Sequence, residues 1–291
     1  MIRIDAHHHV WRLERGDYHW LTPDLPIHRD YGLHDLRPLL GEAYPGALEP
    51  GACPRALDPG VAATVLVQAA ATEAETHFLL QVAQESGGLV RGVVGWADFA
   101  AADASARIAS LAGDDLLKGV RPMLHDIRDK AWILRPALQP TVAEIAARGL
   151  VFDALIRPSH LPVILELAQR HPTLRIVIDH GAKPEIASGM LQPWAADIAR
   201  VARETQAVCK LSGLVTEAAP HWTVADLQPY VGYLLDVFGP HRLMWGSDWP
   251  VVELAGGYLR WRDATLELLR HLPDAAHDAV LGGTAATVYR L

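Results

Sequence analysis

The chain has 291 residues, of which 50% are hydrophobic and 21% are charged, a composition typical of a globular protein with a large core and unlike that of disordered or fibrous chains. Its 34 acidic and 26 basic residues give a net charge of −8 at pH 7, which is the wrong sign for binding phosphate backbones, so nucleic acid is not an expected partner. The two cysteines, Cys53 and Cys209, form no C-x-x-C pair, so we expect free thiols. The opening MIRIDAHHHVW has no apolar signal core, which favours a cytoplasmic location. Because no apolar stretch reaches the roughly 20 residues that cross a bilayer, we expect no membrane partner.

Eight short, almost continuously apolar runs indicate β-strands. Runs of this kind are typical of strands covered on both faces in a parallel sheet. From the second run onward they begin about 25 to 35 residues apart, which is the length of one βα unit in a barrel. The predicted strands are residues 2–6, 63–67, 92–95, 117–121, 151–156, 176–178, 208–211 and 243–245.

Helix signals lie between these runs. Thr72 followed by Glu75 has the spacing of a capping box, Pro162 precedes a predicted helix over residues 163–169, and residues 192–205 and 260–272 show the same apolar periodicity. Strands that alternate with helices form a parallel sheet with right-handed crossovers. Eight such units favour a closed (β/α)8 TIM barrel, built as a single domain over residues 1–291.

Residues 11–60, between the first two predicted strands, are the exception to this alternation. They hold seven prolines and carry no regular apolar period. An insertion at this point follows the C-terminal end of a strand, the end at which barrel active sites are built. The segment is therefore expected either to form part of a lid over the barrel mouth or to cover barrel surface as a wrapping loop.

Polar residues follow the strands at their C-terminal ends, which share one rim in a parallel barrel. Side chains at i and i+2 of a strand share a face, so His7 and His9 are expected to point into the barrel mouth and His8 away from it. Two imidazoles at this spacing can bind a divalent ion, with His180 and Asp248 as further ligands from across the barrel.

Each of the two latter residues admits a second interpretation. Asp248 is predicted either as a general base that takes a proton from water or as a loop-fixing carboxylate ahead of Pro250. His180 is predicted as an electrophile, as a metal ligand, or as a core histidine paired with Asp179.

Cationic and amide side chains on the same rim could polarise a carbonyl or hold hydroxyl groups, although each could equally be solvated or stabilise the barrel. The residues in this group are Gln68, Arg121, His125 and Arg157. Aromatic rings near the rim could stack on a sugar or serve only in packing. These are Trp11, Trp96 and Trp249. Lys118 and Lys210 lie at strand starts or interiors, so no catalytic role is assigned to them.

Five segments together resemble the amidohydrolase superfamily, of the amidohydrolase-2 type, and within it the sugar-lactonase branch of L-fuconolactonase- and L-rhamnonolactonase-like hydrolases. The segments are residues 5–11, 120–126, 178–184, 209–217 and 245–250. The resemblance implies a (β/α)8 barrel with His7, His9, His180 and Asp248 at the reaction centre and Asp248 as the base.

The chain departs from the superfamily pattern at two positions. Binuclear members carry a carbamylated lysine at the end of strand four and a histidine after strand five, where this chain has Arg121 and Arg157. The resemblance therefore implies at most one divalent, zinc-type ion per chain, that is, one ion or none, and it leaves open whether turnover requires a metal.

The function that these features predict is the hydrolysis of a small sugar lactone to its aldonic acid by water that Asp248 activates. His180, with either Arg121 or an ion on His7 and His9, would polarise the lactone carbonyl. Two alternatives stay open, a metal-dependent decarboxylase of the same superfamily and a non-catalytic barrel that binds a sugar or a metal. The absence of a histidine after strand five disfavours the decarboxylase, and the sequence does not indicate an oligomeric state.

Overall fold

The computed structural model describes residues 2–41 and 60–291. Within them, eight strands are hydrogen-bonded side by side in chain order, and every pair of neighbours is parallel. This confirms the predicted (β/α)8 TIM barrel, and each predicted strand ends within two residues of its predicted position. The strands are β1 (Arg3–His8), β2 (Val61–Val67), β3 (Val90–Gly95), β4 (Leu117–Val120), β5 (Val151–Ala154), β6 (Arg175–Ile178), β7 (Val208–Leu211) and β8 (Leu243–Trp245).

Helices follow the strands and form the outer layer. Those predicted over residues 163–169, 192–205 and 260–272 are present, with ends within three residues of the prediction. The α-helices of the described residues are α1 (Leu33–Leu36), α2 (Glu73–Gln84), α3 (Ala104–Leu111), α4 (Gln139–Ala147), α5 (Leu161–Arg170), α6 (Trp194–Glu204), α7 (Val224–Phe238), α8 (Tyr258–Leu269), α9 (Asp274–Asp278) and α10 (Thr284–Tyr289). None of the helices in the described ranges has the length and apolar character needed to span a membrane.

The capping box predicted at the start of α2 is half formed. The Thr72 hydroxyl accepts a hydrogen bond from the Glu75 backbone N–H at 3.1 Å. The Glu75 carboxylate does not return to the Thr72 amide, as a capping box requires, because it is buried against the end of β2. There it accepts the backbone N–H groups of Ala69 and Ala70. The residue therefore fixes the turn after β2 and not the first turn of the helix.

The two ends of the sheet meet at the residues that follow β8. Asp248 donates its backbone N–H to the His7 carbonyl at 2.7 Å, and His9 donates its own to the Trp249 carbonyl at 2.7 Å. The pairing of β1 with β2 is irregular between Asp5 and His8. These bonds fix the chain segments that carry the predicted ligands against each other.

The interior of the barrel and the layer between strands and helices have separate cores. Small and branched side chains fill the interior, where Ile4, Val65 and Val177 pack with Met244, and Tyr289 of α10 packs against them. The larger cluster lies between the strands and the helices. A filled interior leaves the rim at the C-terminal ends of the strands as the place for a site.

The predicted insertion over residues 11–60 lies partly within the described ranges. Residues 42–59, which include Cys53 and four of the seven prolines, lie outside the described residues. In the described part, Trp11 and Tyr31 exchange two backbone hydrogen bonds at 3.0 Å. The Trp20 indole N–H donates to the Ala69 carbonyl at 2.8 Å, so this part of the chain is attached to the end of β2.

Candidate active site

One carboxylate oxygen lies among three imidazole rings at the C-terminal ends of the strands. Asp248 Oδ1 is 3.3 Å from His9 Nε2, 3.6 Å from His7 Nε2 and 3.9 Å from His180 Nε2. All four side chains are at most 5% exposed. The residues that the sequence predicts as a reaction centre therefore lie together around one carboxylate oxygen, although they come from positions up to 241 residues apart.

His180 and Asp248 both have a left-handed backbone conformation. Residues 180–183, which begin two residues after the end of β6, all have φ between 54° and 62°, and Asp248 has φ of 58°. Such left-handed conformations cost free energy for residues other than glycine and concentrate at functional sites. Gly213 is required nearby, because a Cβ there would lie 2.5 Å from His180 Nδ1. The local strain is compatible with a role for His180 and Asp248 beyond packing.

Hydrogen bonds fix the orientation of the rings. His9 Nδ1 lies 2.7 Å from the Val67 carbonyl, which can only accept, so Nδ1 carries the proton and His9 Nε2 keeps a free lone pair. His180 Nδ1 lies 2.8 Å from Ser212 Oγ and can donate to it. His7 Nδ1 lies 3.4 Å from Asp179 Oδ1. In His9 and His180, a partner on Nδ1 leaves Nε2 able to accept, which is typical of histidines that bind a metal ion, whereas His7 Nε2 lies 3.3 Å from Arg121 Nη1.

The donor set fits a divalent metal ion of the zinc type. One ligand atom from each of His7, His180 and Asp248 lies within 4.8 Å of the other two, and His9 Nε2 adjoins the same carboxylate oxygen. Imidazole nitrogen and carboxylate oxygen are ordinary zinc ligands. His7, His180 and Asp248 could therefore hold one ion between them, and His9 lies beside the carboxylate that they share.

A fully buried ionic network lies behind His7. Lys210 Nζ contacts the Asp153 carboxylate, is 3.0 Å from Asp179 Oδ1 and is 3.1 Å from His7 Nδ1. Tyr289 donates its hydroxyl to Asp153 at 2.8 Å. Lys210 lies inside a strand, a position for which the sequence predicts no catalytic role. The structure places its ammonium group between two carboxylates that support the site, where it neutralises them and holds His7.

Arg121 fills the space beside His7 on the cavity side. Its Nη1 is 3.3 Å from His7 Nε2 and 3.2 Å from Asp179 Oδ2, and Nη2 donates to the Gln68 carbonyl. Gln68 in turn donates its amide to the Arg121 carbonyl at 2.9 Å. A guanidinium fixed in this way supplies a positive charge next to the imidazole cluster, and fixed cations of this kind stabilise developing negative charge.

The surroundings of Asp248, His180 and His125 shift the pKa of each group and so determine its charge at neutral pH. Burial alone would raise the pKa of Asp248, but the surrounding imidazoles of His180, His9 and His7 lower it below its ordinary range. Burial lowers the pKa of His180 to about 4 and that of His125 to about 4. At neutral pH, Asp248 is therefore a carboxylate, and both of these imidazoles are neutral.

A cavity of about 230 Å³ opens above the cluster. Part of its lining is apolar and the rest is polar. The apolar residues are Trp20, Ala69, Met123, Leu155 and Val251. The polar residues are His9, Arg121, His125, Asp126, His180, Lys183 and Asp248. A cavity of this size and mixed lining suits a small polyhydroxylated molecule.

Not every predicted rim residue reaches this cavity. Gln68 is fully buried, and its contacts are with Arg121. Arg157 is exposed and lies three residues beyond the end of β5, where Pro158 turns the chain into a short helical turn. Neither belongs to the lining residues, whereas Arg121 and His125 do. The structure thus brings two of the four predicted hydroxyl-binding residues to the cavity.

His8 and the predicted tryptophans also lie away from the cavity. His8 is fully buried, with Nε2 2.9 Å from Thr64 Oγ1. Trp11 and Trp249 are buried, with exposures of 0% and 2%, and Trp96 is not a lining residue. Trp11 and Trp249 therefore serve in packing, and Trp96 does not reach the cavity.

Trp20 and Lys183 are among the cavity residues that the sequence did not predict. Lys183 ends the left-handed turn after His180 and pairs with Glu217 at 2.6 Å. It lies inside one of the motifs that carry the resemblance, so the motif offered a signal for it. Trp20 lies in the proline-rich insertion, and no periodicity there could have indicated which of its residues faces the site.

Comparisons with known proteins show the family to which the chain belongs. Residues 4–291 match the amidohydrolase family described as "Amidohydrolase". An L-fucono-1,5-lactonase of Burkholderia ambifaria is 43% identical over 99% of this chain and 96% of its own length, and one of Burkholderia multivorans is 34% identical over 100% of this chain and 96% of its own length. A crystal structure of a Burkholderia multivorans amidohydrolase with bound zinc is 34% identical, with a TM-score of 0.88 and full coverage of both chains.

Proposed function

Because the chain belongs to the amidohydrolase family, we propose that it is a lactone hydrolase, a carboxylic-ester hydrolase that opens a small sugar lactone to its aldonic acid. The observation that carries the proposal is the ionised Asp248 carboxylate held among three imidazoles at the base of a cavity. Two relatives that cover almost the whole chain are named L-fucono-1,5-lactonases. A six-membered sugar lactone of this kind is the proposed substrate class.

Asp248 acts as the general base in this proposal. It takes one proton from a water molecule, whose oxygen forms a bond to the lactone carbonyl carbon. Its anionic form is populated at neutral pH because the imidazoles around it lower its pKa. A base within hydrogen-bond reach of the attacking water accelerates such a step by about 10² to 10⁴.

Arg121 and His180 stabilise the oxygen on which negative charge develops. Arg121 lines the cavity and is held by Asp179 and Gln68, so its guanidinium does not have to reorganise during the reaction. His180 is neutral at neutral pH and can act as a ligand or a hydrogen-bonding group at the same oxygen. The sequence predicted both groups for this role.

The ring C–O bond then breaks, and the leaving ring oxygen needs a proton. Protonated Asp248 supplies it, since it has just taken one from water. His125 is a poor proton source, because its pKa of about 4 leaves it neutral near pH 7. The aldonic acid that results ionises, so each turnover releases one proton to the buffer.

We further propose that His7, His9, His180 and Asp248 hold at most one divalent, zinc-type ion. Such an ion, when bound, would polarise the lactone carbonyl as a Lewis acid. A second ion is disfavoured because the Arg121 guanidinium lies 3.3 Å from His7 Nε2, and its fixed positive charge repels another cation. The zinc-containing relative supports the choice of metal.

A panel of lactones tests the proposal. Purified protein in a weak buffer with an indicator dye should acidify solutions of six-membered sugar lactones, among them L-fucono-1,5-lactone. Carbon dioxide release from aromatic or dienoic acids, with no acidification of the lactone panel, would favour the decarboxylase instead. Sugar or metal binding without turnover of any kind would identify a binding protein.

A further inference from the structure

We propose that Trp20 forms the surface on which the substrate's ring stacks, so that it determines the preference of the site for cyclic substrates. This inference rests on the proposed function, since it concerns how the same cavity binds its lactone. Trp20 lines the cavity, and 37% of its surface is exposed. It is the only tryptophan among the lining residues of the described chain.

The indole of Trp20 is held in place from one side. Its Nε1–H donates to the Ala69 carbonyl at 2.8 Å. The Ala69 amide in turn donates to the buried Glu75 carboxylate at 3.0 Å, which fixes the turn that carries the carbonyl. Because the only polar atom of the indole already has a partner, the part of Trp20 that faces the cavity offers carbon atoms and a π surface, not a hydrogen-bond donor.

Three buried rings connect Trp20 to the backbone beside the proposed base. Trp20 meets Trp11 at 5.5 Å and 89°, Trp11 meets Tyr31 at 5.4 Å and 76°, and Tyr31 meets Trp249 at 5.2 Å and 89°. All three pairs have the edge-to-face geometry that aromatic rings prefer. Trp249 directly follows Asp248, so this row of rings fixes the distance between the indole and the reacting carboxylate.

The chemistry of the cavity lining agrees with ring stacking. A sugar lactone has C–H groups on the faces of its ring and hydroxyl groups at its edge. The indole can pack against the C–H groups. His125, Asp126 and Lys183, which line the same cavity, can form hydrogen bonds with the hydroxyl groups. The open-chain aldonate that forms on hydrolysis has no ring face. Trp20 should therefore bind the cyclic substrate and contribute little to binding of the product.

Binding and kinetics of Trp20→Ala and Trp20→Phe test the inference. For Trp20→Ala, KM for L-fucono-1,5-lactone should rise about tenfold with kcat changed less than threefold, because stacking acts equally on bound substrate and transition state. The inhibition constant of the open-chain product, sodium L-fuconate, should change less than twofold. Trp20→Phe keeps a ring and should stay within about threefold of wild type. Leu259→Ala, which shortens an exposed apolar side chain on α8, is the matched control.

Calorimetric binding of L-fucose separates this inference from the proposed function. L-fucose keeps a six-membered ring and cannot be hydrolysed as a lactone, so its affinity is measurable even if the protein turns over no lactone. Weaker binding of L-fucose to Trp20→Ala, with wild-type binding of L-fuconate, supports stacking. The inference is overturned if Trp20→Ala, folded by its melting curve, binds L-fucose like wild type or loses L-fucose and L-fuconate to the same extent.

Discussion

Asp248 contacts His7 in two ways, through a backbone hydrogen bond and through its side-chain carboxylate. Its N–H donates to the His7 carbonyl at 2.7 Å, and its Oδ1 lies 3.6 Å from His7 Nε2. The backbone bond also joins the last strand of the barrel to the first. The contact that closes the barrel therefore also assembles the reaction centre. Any change that separates the residues after β8 from β1 should remove activity before it unfolds the outer helices.

The three consecutive histidines should separate into two classes. His7→Asn and His9→Asn should each lower kcat/KM by on the order of a hundredfold or more, or about 2.7 kcal/mol, because each ring contacts the Asp248 carboxylate. His8→Asn should leave activity per folded molecule little changed and cost about 1 to 3 kcal/mol of stability, since it leaves Thr64 without its partner.

Steady-state kinetics normalised to the folded fraction, with melting curves for each variant, measure both effects. Loss of turnover in His8→Asn, with turnover spared in His7→Asn and His9→Asn, would show that the wrong face of β1 has been assigned to the site.

Metal content should not exceed one divalent ion per chain. Elemental analysis of protein prepared with excess zinc, followed by dialysis, measures this directly. The reason is the Arg121 guanidinium beside His7, where a second ion would need its own ligands. Two tightly held ions per chain, lost together on chelation, would contradict the assignment.

Removal of the buried ammonium group should destabilise the protein strongly. Lys210→Met leaves the carboxylates of Asp153 and Asp179 buried without their shared cation, and the loss of one partner of a buried ion pair costs about 3 to 5 kcal/mol. Lys118→Met is the matched control, since that half-buried strand lysine donates to the Arg290 carbonyl and forms no ion pair in the described residues. Denaturant unfolding of both variants tests the difference, and equal stabilities would argue against an ionic role for Lys210.

The pH dependence of stability should reveal the buried Glu75 carboxyl group. Burial raises the pKa of Glu75 to about 7, from 4.5, although the Ala70 and Ala69 amides oppose the shift. The folded state therefore binds this proton more tightly than the unfolded state. The associated stability is complete below about pH 4.5 and is lost as the pH rises to 7, by up to about 3 kcal/mol.

Glu75→Gln cannot titrate, so the stability of wild type relative to this variant should fall across that pH range. Glu85→Gln, at an exposed position of the same helical region, should show no such trend. A constant difference between wild type and Glu75→Gln from pH 4.5 to 7 would contradict the raised pKa.

Sequence reasoning succeeded where a local pattern determines the structure. Apolar runs separated by helix-length segments predict a barrel, because strands covered on both faces have no polar period. The convergence of His7, His9, His180 and Asp248 followed from their positions at strand ends. The residues that support the site were not predictable in this way. Lys210 looks like an ordinary strand lysine until the carboxylates of Asp153 and Asp179, from two other strands, are placed around it.

The direction of side chains in loops was also not predictable from the sequence. Arg157 and Gln68 both follow strands, but where a side chain points beyond the last ladder bond depends on local turns. Pro158 turns the chain after Arg157, and Gln68 is drawn to the Arg121 backbone. Trp20 reaches the cavity through contacts with Ala69 and Trp11 that are distant in sequence. Such placements depend on tertiary contacts rather than on periodicity.

The hydrolysis of L-fucono-1,5-lactone in ¹⁸O-labelled water by wild type and Asp248→Asn tests the central claim most directly. Wild type should place one ¹⁸O in the carboxylate of each aldonate formed and release one proton per turnover, and Asp248→Asn, with its fold verified by its melting curve, should lower the enzyme-dependent rate about a hundredfold or more, because an amide cannot accept the proton of water. A folded Asp248→Asn variant that hydrolyses the lactone at the wild-type rate, or wild-type product with no label in its carboxylate, would contradict the assignment of Asp248 as the base that activates water.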